Sequence, residues 1–123
     1  MAGGFTQAYQ QTVLDTAFPT TGATDHVAYS ANGTAESSAL ARTPIGATGW
    51  AAATAATPSV KANANALTSA TATGAATITH FAIFSALTAG TQKTDWQTFD
   101  TSRTVEIGDQ ITHAVGAIKV TQD

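Results

Sequence analysis

Cysteine is absent from this chain of 123 residues. That absence removes disulfides, thiolate nucleophiles and cysteine-ligated metals together, so stability has to come from packing or from partners. Charge is scarce too: Lys and Arg total 5, Asp and Glu 8, for a net charge of −3. The cations Arg42, Lys61, Lys93, Arg103 and Lys119 are scattered along the chain, which argues against the summed phosphate contacts of a nucleic-acid binder. No run approaches the ~20 apolar residues of a membrane span; the longest low-polarity stretch, 49–56, is mostly alanine. Met1-Ala2-Gly3-Gly4 shows no basic segment leading into an apolar one, so the expectation is a product made and used without membrane insertion.

The motifs of common chemistries are missing as well. There is no Gly-x-Ser-x-Gly elbow, no Walker-A loop and no Gly-x-Gly-x-x-Gly, which leaves serine-type hydrolysis and phosphate cradling without support. His26, His80 and His113 are far apart and unpaired at short spacing, so they are read as ordinary strand histidines rather than zinc ligands. Asp95 and Asp100 flank Trp96 and Phe99, a grouping that superficially resembles a sugar-hydrolysing pair. Both fall at expected turns and are read as solvated turn residues, like Asp109 after Gly108. The expectation is a non-enzyme without metal or cofactor.

What is present is small and polar. Ala and Thr make up about two fifths of the chain, far above their usual share, a bias suited to extended surfaces that neighbouring subunits approach closely. The length fits a single domain able to bury about two thirds of its unfolded surface. Within it, residues 1–24 read as a helix and a loop, and 25–123 as a β domain. Residues 46–76 form a low-complexity stretch of Ala, Thr, Gly and Asn, read as short strands joined by loops.

Periodicity supports this division. Phe5, Tyr9, Val13 and Ala17 fall four apart, with Leu14 and Phe18 on the adjoining row, which predicts a helix over 5–18. Phe18-Pro19 should end it, since the residue before proline is pushed out of the α region. Such a helix must dock its apolar row on its own sheet or on a neighbouring subunit. Asp25-His26-Val27-Ala28-Tyr29-Ser30 predicts a strand followed by an Asn32-Gly33 turn; Asn32-Gly33-Thr34 also matches a glycosylation acceptor, but no secretory signal accompanies it. Residues 40–45 predict a second strand, with Pro44 placing it at an edge. Further strands are expected around Ile78, Phe81, Ile83 and Phe84, then over 96–99, 103–107, 110–115 and 117–121. Turns are expected at Ala89-Gly90, Asp100-Thr101 and Gly108-Asp109. Strand and turn spacing of this kind points to a mainly β fold, an antiparallel β-sandwich or jelly-roll-like barrel with an N-terminal α-helix.

Several segments together resemble small structural proteins of tailed bacteriophages, especially those of actinobacterial hosts. They are the helix over 5–18, His26-Val27-Ala28-Tyr29-Ser30, Ala41-Arg42, Gly49-Trp50, Ile78-Thr79-His80-Phe81-Ala82-Ile83-Phe84-Ser85-Ala86, Gly108-Asp109 and Gly116-Ala117-Ile118-Lys119-Val120. The loop between Ser30 and Ala41 is shorter than the family's usual one, and only the part after residue 77 is specific. The resemblance implies a virion component made in the host bacterial cytoplasm. Its first reading is a capsid decoration (cement) protein that binds the major capsid protein on the outer shell, as a homotrimer. The alternative is a minor tail, tail-tip or tail-fibre protein with a host-binding role, using Trp50 or Trp96 as a stacking platform for a glycan. Candidate partner-binding residues are Phe5, Tyr9, Val13 and Trp50.

Overall fold

A computed structural model describes residues 5–56 and 58–121. One helix, α1 (Gln7–Ala17), precedes eight strands: β1 (His26–Ser30), β2 (Thr43–Pro44), β3 (Val60–Ala62), β4 (Leu67–Thr68), β5 (Ala76–Phe84), β6 (Gln97–Val105), β7 (Thr112–His113) and β8 (Lys119–Thr121). A four-stranded sheet has the order β2-β1-β5-β6, and two ribbons pair β3 with β8 and β4 with β7. Every pairing is antiparallel. The fold is mainly β with one short N-terminal helix, as the sequence pattern predicts.

The helix starts where Thr6 Oγ1 accepts the Tyr9 N–H at 3.3 Å, an N-cap that satisfies a donor the helix itself cannot. It stops at Phe18, whose N–H bonds Leu14 O at 2.8 Å, directly before Pro19. Its inward face carries Gln10 and Leu14, both buried, and Phe18 continues it into the core. Docking is therefore onto the chain's own β domain. Gln10 Oε1 accepts the Ser59 N–H at 2.9 Å and Gln11 Nε2 donates to Ala53 O at 3.2 Å. Lys61, fully buried in β3, meets Asp15 Oδ1 at 2.5 Å. Burial raises the Asp15 pKa, but the Lys61 hydrogen bond and the Ala53 N–H outweigh it, and the net shift is downward.

β1 and β5 form the centre of the main sheet, with Val27 opposite Ile83 and Tyr29 opposite Phe81. Strict alternation would send Ile78 to the face opposite Phe81 and Ile83. A register irregularity between Ile78 and His80 changes this, and all three side chains are buried in one core. That irregularity revises the turn expected at Asp100-Thr101. Ile78 pairs with Arg103, yet His80 pairs with Thr98, where a regular ladder would set Thr101 opposite His80. Three extra residues are accommodated as a bulge inside one strand, so the two strands expected over 96–99 and 103–107 are a single β6. Turn signals and bulge signals draw on the same residue types, which is why composition did not separate them.

The segment expected as a strand over 40–45 contributes only Thr43–Pro44, at the sheet edge where Pro44 costs no ladder bond. Residues 46–76 hold short strands joined by loops, anchored by Trp50, Ala53, Leu67 and Ala72 in the core.

Candidate functional site

The helix row predicted to dock faces outward. Phe5 is 51% and Tyr9 53% exposed, with ring centroids 5.0 Å apart at 85°, an edge-to-face pair. Val13, one turn on, is half-buried. Phe5 and Tyr9 thus make an exposed apolar pair at the start of α1, while Val13 lines a depression together with Leu14 and Phe18.

Trp50 is elsewhere. It is 2% exposed, sits edge-on to Phe18 at 5.3 Å, and its Nε1–H donates to Asp25 Oδ2 at 2.9 Å. The other Asp25 oxygen meets the Lys93 ammonium at 2.7 Å as an ion pair. Lys93 also donates to Ala17 O at the end of α1, at 2.7 Å, where a cation suits the helix dipole. Burial takes Trp50 out of reach of a partner or a glycan in this fold. It is a core residue, and the candidates that remain on the surface are Phe5 and Tyr9, with Val13 half-buried. Trp96 is half-buried beside Phe84, ring centroids 6.0 Å apart.

The three histidines have separate surroundings. His26 Nδ1 lies 2.7 Å from Thr24 O and His80 Nδ1 lies 2.7 Å from Thr79 Oγ1. Among the described residues no three of His, Asp and Glu gather where they could hold a metal ion, and no helix is long and apolar enough to cross a membrane. His113 is the unusual one. It is 1% exposed, and its Nε2 lies 2.8 Å from Tyr29 Oη, which in turn lies 2.5 Å from Thr43 Oγ1. Burial, aided by the nearby Arg103 charge, pushes the His113 pKa down to about 4. Burial also pushes the Tyr29 phenol up to about 12, against the Thr43 hydrogen bond and the Arg103 charge that favour its ionised form. Both rings are therefore neutral at physiological pH, and His113 Nδ1 is buried without a protein partner.

His113 also lines a cleft of about 360 Å³ between the β6 bulge and the β7–β8 loop. Phe99 lies against the same ring, 5.8 Å away and 8° from parallel, and 5.0 Å from Phe81. The Arg103 guanidinium sits 5.5 Å from the Phe99 centroid, and its Nη1 donates to Thr112 O at 3.0 Å. Asp100, Thr101 and Lys119 complete the rim. Asp95 lines a different depression, beside Val13 and Lys93, so the structure does not bring Asp95 and Asp100 to one site. One sequence signal for the inward role of His113 existed: Ile111 and His113 are two apart in a strand, hence on one face.

Comparison with known families decides the class of the protein. Residues 5–121 match the family described as Podophage GP4 fiber I protein gp80. The chain belongs to that family. No curated protein matches it. Membership of the gp80 fibre family makes the chain a bacteriophage virion structural protein, as the strand signature after residue 77 implied, and the family's description names a fibre rather than a capsid shell.

Proposed function

We propose that the chain is a non-catalytic structural part of a phage tail fibre, assembled from several copies and contributing to contact with the host surface. The observation that carries the reading is the match of residues 5–121 to a fibre protein family; the capsid-decoration reading, with the major capsid protein as partner, has no comparable support. The outward pair of Phe5 and Tyr9 supplies an apolar patch of the kind subunits cover. Low surface charge makes close packing of copies inexpensive in repulsion. A homotrimer is the assembly proposed, since closed cyclic symmetry lets one patch meet the same neighbouring surface three times.

Labelled antibody on intact particles, with copy number from quantitative mass spectrometry, tests the location. A fibre protein gives label at the tail and a few copies per particle. Label over the whole head at hundreds of copies would replace the fibre with the decoration reading.

A further inference from the structure

We propose that the Lys93–Asp25 ion pair is the precursor of an intramolecular amide, a cross-link that the chain makes by itself between Lys93 Nζ and Asp25 Cγ with loss of water. The inference goes beyond the fibre reading and stands on the geometry of this pair alone.

The carboxyl is held as a buried electrophile. The Asp25 side chain is 0% exposed, and one oxygen, Oδ2, accepts the Trp50 Nε1–H at 2.9 Å. Oδ1 lies 2.7 Å from Lys93 Nζ, yet it is buried with no hydrogen-bond partner, because the ammonium meets it off the line that a hydrogen bond requires. A second acceptor, Ala17 O, takes an Nζ–H at 2.7 Å and holds the nitrogen beside the carboxyl, whose carbon is one bond beyond Oδ1. Fixed proximity of this sort raises the rate of an amine–carboxyl reaction by many orders of magnitude. Phe18 and Trp50 pack beside the pair, their centroids 5.3 Å apart and the Phe18 centroid 5.3 Å from Nζ, which keeps bulk water from reversing the reaction.

The pair already contains every atom the reaction needs. One proton passes from the ammonium to Oδ1, leaving a neutral amine and a carboxylic acid, the form that loss of hydration favours when two ions are buried. The nitrogen lone pair then forms the Nζ–Cγ bond, and the negative charge that develops on Oδ2 is met by the Trp50 N–H. A second proton moves from nitrogen to the Oδ1 hydroxyl, the Cγ–Oδ1 bond breaks, and Oδ1 departs as water through the depression that Lys93 lines with Phe18 and Asp95. Oδ2 remains as the amide oxygen. Lys61 and Asp15 make the contrasting pair: Asp15 is 41% exposed, and its Oδ1 accepts aligned hydrogen bonds from both Lys61 and the Ala53 N–H, so its carboxylate is stabilised and open to water. The Lys93–Asp25 amide ties the residue before β1 to the connection between β5 and β6, closing a covalent loop across the end of the main sheet where α1 stops.

Intact-mass spectrometry of the full folded chain is the test. After storage for several days most chains should weigh less than the sequence by one water, and trypsin should then leave a branched peptide in which residues 1–42 are joined to 62–103, uncut after Lys93. Lys93→Arg keeps a cation at Asp25 but offers no amine nucleophile, and should stay at its full sequence mass; so should the parent stored unfolded in urea. A folded parent that keeps its full mass overturns the proposal. So does a water loss that persists in Lys93→Arg, which marks a succinimide at an aspartate, or a branch that joins Lys61 to Asp15. None of these results bears on tail labelling, so the cross-link and the fibre reading fail separately.

Discussion

Acid should destabilise this protein through His113 well before its carboxylates protonate. In the unfolded chain a histidine takes up its proton near 6.5; in the fold, burial and the Arg103 charge hold it off until about 4. Between those values the unfolded state binds more protons, so stability falls as pH falls, by about 1.4 kcal/mol per pH unit at full slope. The linkage amounts to about 2 kcal/mol lost between pH 7 and pH 5, and about 3 kcal/mol once pH passes 4. The Asp15 contribution has the same sense but lies lower on the pH scale. Its pKa is lowered in the fold from 3.8, so its stabilisation persists until the pH drops below that value and does not enter this window. Tyr29, pushed up to about 12, does not titrate there either. Urea denaturation at pH 7.0, 6.0 and 5.0 measures the slope. His113→Phe keeps an aromatic ring between Tyr29 and Phe99 but removes the proton, while His26 and His80 remain in both proteins. The difference between parent and variant therefore isolates one residue, and the variant should lose about 2 kcal/mol less over this range. Equal pH slopes in the two proteins would refute the buried, neutral His113.

Further outcomes follow from other contacts. Asp15→Ala leaves the fully buried Lys61 ammonium without its carboxylate and should cost about 3 kcal/mol in denaturation; adding Lys61→Met should restore most of that, and a double variant no more stable than the single would contradict it. Trp50→Phe removes the donor from Asp25 Oδ2 and opens space beside Phe18, for an expected loss of about 2–4 kcal/mol by thermal melting. Gly33→Ala places a Cβ where φ is +75° and 2.8 Å from His80 Nε2, and should cost about 1–2 kcal/mol. If the Phe5–Tyr9 pair on α1 joins copies, Phe5→Ser with Tyr9→Ser should shift the sedimentation coefficient to that of a monomer while the melting temperature of the separated chain stays unchanged.

The elements were more legible than the faces they present. The four-residue spacing of apolar side chains and Pro19 mark α1 within two residues, because helical period and proline act locally. The same spacing misassigns the docking side. Gln10 lies inside because its amide bonds Ser59 and Phe5 backbone groups, a pairing that no helical period reveals, and this releases Phe5 and Tyr9 to the surface. β1 and β5 were readable from Val27, Tyr29, Phe81 and Ile83, two apart on one core face, although Ala28 and Ala82 between them are buried as well, so these central strands are covered on both faces. β6 was split because Asp100 and Thr101 favour turns and bulges alike. Trp50 carried no sign of its burial: its partner Asp25 is twenty-five residues away in sequence, and long-range polar pairs leave no periodic trace.

Scarcity of charge acquires a physical meaning in the way these few charges are used. Arg42 is 8% exposed and grips both Glu36 oxygens at 2.8 and 2.9 Å. Its remaining donors reach Ala86 O and Ala89 O, and its guanidinium lies 3.9 Å from the Phe84 centroid. Lys61 ties α1 to β3, and Lys93 ties the end of α1 to Asp25. Three of the five cations thus serve as pins, Arg42 and Lys61 from inside and Lys93 from the surface, each holding together segments that strands of two or three residues cannot hold by ladder bonds alone. Buried pairs of this kind add little net stability, since desolvation offsets attraction, but a misplaced loop would strand an unpaired charge at a cost of several kcal/mol. The pins therefore act on which arrangement the loops adopt more than on how stable it is. Turning Arg42 and Lys61 inward also removes two charges from the outer surface, which would lower the electrostatic repulsion between copies in the proposed assembly.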